Sequence, residues 1–163
     1  MEHSFKQNIA DKEERYKRFL LDWQLFVSAE TDETAILANT SAALKEAFDF
    51  FWVGFYMVRN GVLVLGPFQG SVACYRIRKG RGVCGTAWAD ACTQVVPDVE
   101  QFPGHIACSS LSKSEIVVPI FRNHEVIGVL DIDSDHLATF DETDRNYLEQ
   151  MMEILSKQLY TKK

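Results

Sequence analysis

The first candidates for chemistry in this chain are its four cysteines, which all fall between residues 74 and 108: Cys74, Cys84, Cys92 and Cys108. A framework of structural disulfides is not expected, because the sequence has the features of an intracellular protein. Their spacings of 10, 8 and 16 residues contain no C-x-x-C pair. Zinc sites usually need that short turn, so no metal site is predicted. Redox chemistry and plain core packing remain as explanations.

Local sequence favours two of these thiols as reactive groups, for different reasons. Cys84 stands near the start of a predicted short helix, where free N–H groups favour a thiolate, although a lone cysteine is also commonly a small buried hydrophobe. Cys108 ends the loop sequence Phe-Pro-Gly-His-Ile-Ala-Cys and is expected to be exposed. His105 could favour the Cys108 thiolate, or it could be a surface histidine. Cys92 has no notable neighbour and is interpreted as incidental.

Three carboxylates interrupt strands whose other residues are typical of a core: Glu115, Asp131 and Asp133. Asp131 and Asp133 are two residues apart, so they share one face of their strand, which is either solvated or covered by the middle of the chain. The length of the hairpin turn determines which residue lies opposite Glu115 on the neighbouring strand. A three-residue turn centred on Asn123 places Glu115 opposite Asp131, whereas a two-residue turn places it opposite Ile132.

The first register carries a chemical consequence, because carboxylates directly opposite each other repel unless they share a proton or meet a cation. The ammonium group of a free amino acid would supply that cation. A carboxylic acid with a raised pKa could also protonate a departing oxygen. The hypothesis is therefore an acid cluster that binds an amino acid and donates a proton.

Hydrophobic periodicity predicts the helices that would position these groups. An N-terminal helix is expected within residues 1–30, from Asp11 to about Val27, and Thr31 or Asp32 can cap a second helix. A short helix is expected from Gly82 to about Asp90. A C-terminal helix is expected over residues 141–160, with Asp141 as its cap.

Two hairpins are predicted between these helices, with turns at residues 59–61 and 122–124. Hairpins imply an antiparallel sheet, so the fold class is α+β, with the terminal helices on one face. The loop-rich middle of the chain, from Gly66 to Ser114, is left to cover a pocket on the other face. The whole chain, 1–163, is predicted to be a single domain.

Composition and net charge disfavour two further classes of partner. The formal charge of −6 disfavours nucleic acid and anionic membranes as partners. No secretory signal and no apolar run long enough to span a membrane is present, which predicts a cytoplasmic protein that does not enter membranes.

These motifs resemble the free methionine-(R)-sulfoxide reductase family, and the resemblance extends from the second helix through the last. Its most specific part is the Cys74–Cys84–Cys108 spacing of 10 and 24 residues. The sequence motifs that carry it are Gly-Pro-Phe-Gln-Gly (66–70), Gly-Arg-Gly-Val-Cys-Gly-Thr-Ala (80–87), Val-Pro-Asp-Val (96–99), Phe-Pro-Gly-His-Ile-Ala-Cys (102–108), Ser-Glu-Ile-Val-Val-Pro (114–119) and Gly-Val-Leu-Asp-Ile-Asp-Ser (128–134). Cys92 lies outside the family's cysteine trio.

The resemblance implies a GAF fold and reduction of free L-methionine-(R)-sulfoxide, with thioredoxin as the reductant and no cofactor. It implies Cys108 as the nucleophile, Cys74 as its resolving partner and Cys84 as a third redox cysteine. Glu115, Asp131 and Asp133 would bind the substrate and donate a proton. Trp52 and Tyr56 would form the pocket wall around the substrate methyl group, although aromatic residues on a strand are by themselves more often core.

Two other functions fit the fold: a GAF module that senses a small ligand, and a thiol redox sensor without a dedicated substrate. A sensor would not require clustered cysteines, whereas turnover of a sulfoxide requires two thiols near each other. The sequence leaves open which cysteine attacks, because local reasoning favours Cys84 and the resemblance favours Cys108. It also leaves open whether the protein forms a homodimer and whether it is oxidised at rest.

Overall fold

A computed structural model describes residues 3–161 as four α-helices packed around a six-stranded antiparallel sheet. The helices are α1 (Lys12–Val27), α2 (Glu33–Phe48), α3 (Gly82–Asp90) and α4 (Glu142–Tyr160). The strands are β1 (Trp52–Arg59), β2 (Val62–Gln69), β3 (Arg76–Ile77), β4 (Gln94–Val96), β5 (Ser114–Arg122) and β6 (Glu125–Ser134), in the spatial order β3-β2-β1-β6-β5-β4. Met1, Glu2, Lys162 and Lys163 lie outside the described residues, so the boundaries 1–163 stay a prediction.

Side-chain caps fix where the long helices begin. Asp11 accepts a hydrogen bond from the backbone N–H of Glu14, and Asp32, rather than Thr31, caps α2. Asp141 and Asp144 form a reciprocal capping box at the start of α4. The helical part of the predicted 1–30 segment is shorter than that range, because residues 3–10, before the Asp11 cap, are not helical.

One face of the sheet carries α1, α2 and α4, and the largest hydrophobic core lies between them. Its members alternate along the strands, as Val53, Phe55 and Met57 do on β1. They pack against helix residues such as Trp23 and Leu44, which are fully buried. None of the helices among residues 3–161 combines the length and the apolar character needed to cross a lipid bilayer.

The other face of the sheet is covered by α3 and the connecting segments of the middle of the chain. The second hydrophobic cluster lies here and contains the alternate β1 residues Trp52 and Tyr56 together with Val83, Cys84 and Ala87 of α3. The predicted α+β architecture, with helices on one face and a loop-rich cover on the other, is therefore confirmed. The three carboxylates therefore lie on the covered face of the sheet and not on a face open to solvent.

The β5–β6 hairpin has a two-residue turn, Asn123-His124, in which both residues have positive φ angles of 50° and 66°. This is the combination that two-residue hairpin turns prefer. A β-bulge then skips Ile127, since Ile120 pairs with Gly128 but Phe121 pairs with Val126. Beyond this bulge the register shifts by one residue.

The bulge makes both predicted partners of Glu115 wrong. Glu115 lies opposite Asp133, rather than opposite Asp131 or Ile132, and Asp131 lies opposite Val117. A turn length read from the sequence fixes the register only as far as the first bulge. The predicted cluster of three acids is still present, because Glu115, Asp131 and Asp133 share one face of the sheet in the observed register.

Candidate functional site

The three carboxylates meet in the middle of the sheet, on the face that α3 covers. Glu115 of β5 is directly opposite Asp133 of β6, while Asp131 lies two residues along the same face. Glu115 and Asp131 are each only 6% exposed, and Asp133 is partly buried. Three acids at this burial need shared protons or a bound cation.

Burial is the main cause of unusual ionisation in this cluster. It raises the pKa of Glu115 well above the usual value for a glutamate, and the neighbouring Asp131 and Asp133 charges raise it further. Burial likewise raises the pKa of Asp133, with an added contribution from the charge of Asp131. Both groups therefore hold a proton at pH values where an exposed carboxyl group has lost it.

Asp131 is the member of the cluster best placed to carry the negative charge. Burial raises its pKa, but hydrogen bonds from Glu115 and Cys84 oppose this rise. Its Oδ1 atom is buried and has no hydrogen-bond partner. An unpaired acceptor in this position is available to a donor from a ligand.

Cys84 lies beneath the carboxylates and is not the thiolate that its place in α3 suggests. It is 3% exposed, and burial raises its pKa well above the usual value, with the charges of Asp131 and Glu115 adding to the effect. Burial and the nearby carboxylates thus outweigh the helix dipole, and the local sequence reveals neither of them. As a neutral thiol, Cys84 donates a hydrogen bond towards Asp131.

The same residues are the ones that could hold a metal ion in the described part of the chain. The ligand atoms of Cys84, Glu115 and Asp131 all lie within 4.8 Å of one another. Two of these three groups have pKa values raised well above normal, so a metal would have to displace their protons. The donor set therefore favours a protonated cluster that exchanges hydrogen bonds.

Cys74 and Cys108 form a disulfide, with their Cα atoms 5.6 Å apart. It joins the segment after β2 to the loop before β5, so it closes one side of the covered face. Cys108 is among the residues that line the cavity over the carboxylates, whereas Cys74 packs beside the second hydrophobic cluster. The described state is therefore the oxidised one, and Cys84 and Cys92 are free.

Trp52 and Tyr56 form one wall of this cavity, and their polar ends hold the segment that carries Cys74. The indole N–H of Trp52 donates to the carbonyl oxygen of Ser71 at 2.9 Å. The hydroxyl group of Tyr56 donates to the carbonyl oxygen of Cys74 at 2.9 Å. Burial raises the pKa of Tyr56, so its hydroxyl group stays protonated and keeps this bond.

Gly54, between the two aromatic residues on β1, was not singled out from the sequence. It pairs with Asp131 on the neighbouring strand. A Cβ atom at this position would lie 2.9 Å from the Trp52 ring and 2.8 Å from the Cα atom of Phe68. The missing side chain therefore leaves room for the Trp52 indole, which stacks on the Phe68 ring with centroids 5.2 Å apart.

These walls enclose a cavity of about 40 Å³ over the acid cluster. The lining side chains that sequence reasoning missed include Ser71, Arg81, Ile106 and Ser112. Arg81 supplies positive charge, and it also precedes the first turn of α3, which has no side-chain cap. A cation beside an uncapped helix N-terminus favours an anion. The Gly80-Arg81-Gly82 turn was the available signal in the sequence.

The two remaining candidates from the sequence differ in position. His105 lines the cavity and is partly buried, and this burial lowers its pKa. The imidazole is therefore largely neutral at neutral pH, and it provides little positive charge to favour a Cys108 thiolate. Cys92 is exposed after the end of α3 and lines a separate groove beside α4. The structure thus brings together each predicted site residue: Cys74, Cys84, Cys108, Glu115, Asp131, Asp133, Trp52 and Tyr56.

Comparison with known proteins agrees with this arrangement. The GAF domain family matches residues 30–157, which confirms the GAF fold. GAF domain-containing protein A of Dictyostelium discoideum is 59% identical over 145 residues, which are 88% of this chain and 92% of that protein. The Free methionine-R-sulfoxide reductase of Escherichia coli (strain K12) is 47% identical over 152 residues, 93% of this chain and 92% of its own.

A solved structure gives the same result in three dimensions. The free methionine-R-sulfoxide reductase from Neisseria meningitidis, determined in complex with its substrate, is 55% identical and superposes with a TM-score of 0.94. The match covers 97% of this chain and 95% of that one. At this similarity the backbone that positions the cavity is shared along nearly the whole length.

Proposed function

The chain belongs to the free methionine-R-sulfoxide reductase family, and we propose that it reduces free L-methionine-(R)-sulfoxide to L-methionine through Cys108. The observation that carries this proposal is the cavity itself, which has a redox-active cysteine on one side and three buried acids on another. Two relatives more than 40% identical over most of the chain are named for this reaction.

The substrate's two charged groups have complementary partners in the cavity. Its ammonium group would donate to Asp131, whose buried Oδ1 atom has no partner, and to Asp133 or Glu115. Its carboxylate would meet Arg81 and the uncapped start of α3. A methionine within a peptide has neither charged group, so the acid cluster would remain unpaired and such a substrate would be rejected.

The sulfoxide end would lie between the aromatic wall and Cys108. Trp52 and Tyr56 would contact its methyl group. The Cys108 thiolate attacks the sulfoxide sulfur while an acid of the cluster, Glu115 or Asp133, protonates the oxygen. Methionine leaves, and the oxygen remains on Cys108 as a sulfenic acid.

A second thiol completes the turnover. Cys74 attacks the Cys108 sulfenic acid, water leaves, and the disulfide forms. The balance is one sulfoxide and two thiols giving methionine, water and one disulfide. An external dithiol, for which thioredoxin is the proposed source, returns the protein to its dithiol form.

Cys84 has a different place in this scheme from its predicted role as a third redox cysteine, which stays a prediction. Its raised pKa and its hydrogen bond to Asp131 support a positioning role for the neutral thiol. The cytoplasmic location, the homodimer and the single domain over residues 1–163 likewise remain proposals.

Single-cysteine variants test the chemistry. Cys108→Ser should form no methionine, because the nucleophile is lost. Without an added thiol, Cys74→Ser should form at most one methionine per protein molecule before it stops as a sulfenic acid, which dimedone traps at Cys108. Multiple turnovers by Cys108→Ser with dithiothreitol would refute the assignment of the nucleophile.

A further inference from the structure

The outer surface around the disulfide carries a group of exposed apolar side chains, of which two, Val72 and Ile106, also line the cavity and two, Tyr75 and Leu111, do not. Val72 is 87% exposed and Tyr75 is 77% exposed, and they lie on either side of Cys74. Ile106 and Leu111, 38% and 63% exposed, lie on either side of Cys108. These four residues, here called the disulfide rim, surround both bonded cysteines. Grouped apolar exposure of this kind marks an interaction surface.

A strip of positive charge continues from the disulfide rim along the chain. Its members, here called the basic strip, are all exposed: Arg76, Arg78, Lys79 and Arg81. The chain as a whole has a formal charge of −6, so these four cations without an intervening acid are a local reversal of sign. The ion pairs found among residues 3–161 are made by other cations. The three members of the basic strip that do not line the cavity, Arg76, Arg78 and Lys79, are therefore available to an acidic partner.

The disulfide itself decides what kind of partner is needed. Its reduction takes two electrons and two protons, which neither the substrate nor the described residues supply. Cys108 lines the cavity over the acid cluster, while Cys74 stands between the two most exposed residues of the disulfide rim. An external thiolate therefore has its approach from the side of Cys74.

We propose that the disulfide rim and the basic strip form the docking surface for a protein dithiol, whose face around its cysteine pair is apolar and acidic. This inference rests on the proposed function, because only turnover makes reduction of the disulfide recur. The partner's thiolate attacks the sulfur of Cys74, forming a mixed disulfide and releasing Cys108 towards the cavity. The partner's second thiol then attacks the mixed disulfide, which frees Cys74 and leaves the partner oxidised.

Two reductants separate docking from catalysis. Dithiothreitol is small and needs no docking surface, whereas a thioredoxin, recycled by its reductase and NADPH, does. The test variants change residues that do not line the cavity: Tyr75→Ser with Leu111→Ser, and Arg76→Glu with Arg78→Glu. Each pair should lower kcat/KM for thioredoxin about tenfold or more and leave turnover with dithiothreitol unchanged. Added salt should weaken the thioredoxin reaction of the wild type more than that of the charge-reversed pair.

Matched controls lie on α1, on the other face of the molecule. Leu21 and Leu25 are 63% and 77% exposed, and their replacement by serine should leave both reactions unchanged. Lys17→Glu with Arg18→Glu reverses two exposed charges there and should also have no effect. Unchanged thioredoxin kinetics in both rim and strip variants would overturn the docking surface while the enzyme assignment stands. Absence of turnover with dithiothreitol in the wild type would instead remove the proposed function.

Trapping identifies the attacked sulfur. A thioredoxin whose second cysteine is replaced by serine should remain bound to the oxidised protein as a mixed disulfide. Peptide mass mapping should find the bond at Cys74. A bond at Cys108 would overturn the direction of approach that the disulfide rim indicates.

Discussion

At the scale of single residues, the ionisation of the acid cluster sets both the chemistry and an energetic cost. Burial raises the pKa of Glu115, so the folded protein holds its proton at pH values where the unfolded chain has released it. Stability contributed by this group is therefore highest below its unfolded pKa of about 4.5 and decreases as the pH rises. The cluster therefore makes the protein less stable near neutral pH than at acidic pH.

Replacing Glu115 with glutamine should relieve this cost. Because the ionised form of Glu115 is disfavoured in the folded protein, Glu115→Gln should raise the free energy of unfolding at pH 8 and change it much less at pH 4. The same variant should lower kcat/KM, because the proton donor and part of the ammonium site are lost. Urea unfolding at the two pH values, followed by the sulfoxide assay, measures both effects.

Glu125→Gln is the matched control, because Glu125 is exposed at the turn end of the same hairpin. Its stability change should be small at both pH values. A Glu115→Gln variant that is less stable than the wild type at pH 8 would contradict the raised pKa as the source of the cost.

The acids themselves could be found from sequence, because charges at core positions of apolar strands are anomalous wherever they occur. Cys84 shows the limit of that reasoning. Its helix position predicts a lowered pKa, but its actual neighbours come from β5 and β6, thirty or more residues away in the sequence. Electrostatics at a buried site depends on contacts that local sequence does not contain.

At the scale of elements, β1 connects the wall of the cavity to Cys74, the proposed resolving cysteine. The Tyr56 hydroxyl group holds the carbonyl oxygen of Cys74, while the ring of Tyr56 lines the cavity. In the proposed reaction, one side chain would therefore position two steps: substrate binding and disulfide formation.

Removing this hydroxyl group should separate the two steps. Tyr56→Phe keeps the ring but leaves the Cys74 carbonyl without its donor, at a cost of about 1 to 1.5 kcal/mol. Disulfide formation after the first turnover should slow about tenfold, while release of the first methionine changes less. Rapid quenching with an alkylating reagent, followed by mass spectrometry of Cys74 and Cys108, measures the two rates. Tyr75→Phe, one residue from Cys74 but exposed, serves as the control and should change neither rate.

The hairpin of β5 and β6 shows how far element-level prediction reaches. The polar turn and both strands follow from composition, and the structure confirms them. The bulge at Ile127 does not follow, because it depends on how β6 meets β1. Gly128 lies next to this bulge, at a close contact with β1. A Cβ atom at Gly128 would lie 2.5 Å from the sulfur of Met57 and 2.9 Å from the carbonyl oxygen of Tyr56.

At the scale of the whole molecule, the sheet separates a structural face from a chemical one. On the helical face, Asp144 is 2% exposed and accepts hydrogen bonds from Tyr16 at 2.6 Å and Lys12 at 2.7 Å. This network joins α1 to α4 and has no contact with the cavity. Stability and substrate recognition are therefore expected to respond to different substitutions.

Asp144→Asn tests this separation. Loss of the charge-assisted bonds to Lys12 and Tyr16 should lower the free energy of unfolding by about 2 to 3 kcal/mol. The KM for the sulfoxide should stay unchanged at a temperature where the variant is folded. Urea unfolding and steady-state kinetics give the two numbers. Glu153→Gln, exposed on the same helix, should alter neither; a raised KM in Asp144→Asn alone would contradict the separation.

The order of elements and the covered face could be predicted from the sequence, because helix and strand periodicities differ and hairpins imply antiparallel pairing. The position of α3 over the carboxylates and the closure by Cys74 and Cys108 are long-range contacts. Periodicity does not contain them, and their roles were implied only by resemblance to a family.

We expect this cavity to reduce the free amino acid. We also expect it to distinguish the (R) epimer from the (S) epimer, and the free amino acid from the same residue within a peptide. The most direct measurement is chromatography of free L-methionine sulfoxide epimers after incubation with the purified protein and dithiothreitol, beside a peptide that contains methionine sulfoxide. The (R) epimer should be converted to methionine over many turnovers, while the (S) epimer and the peptide should persist. Persistence of the free (R) epimer, or equal reduction of the peptide, would contradict this expectation.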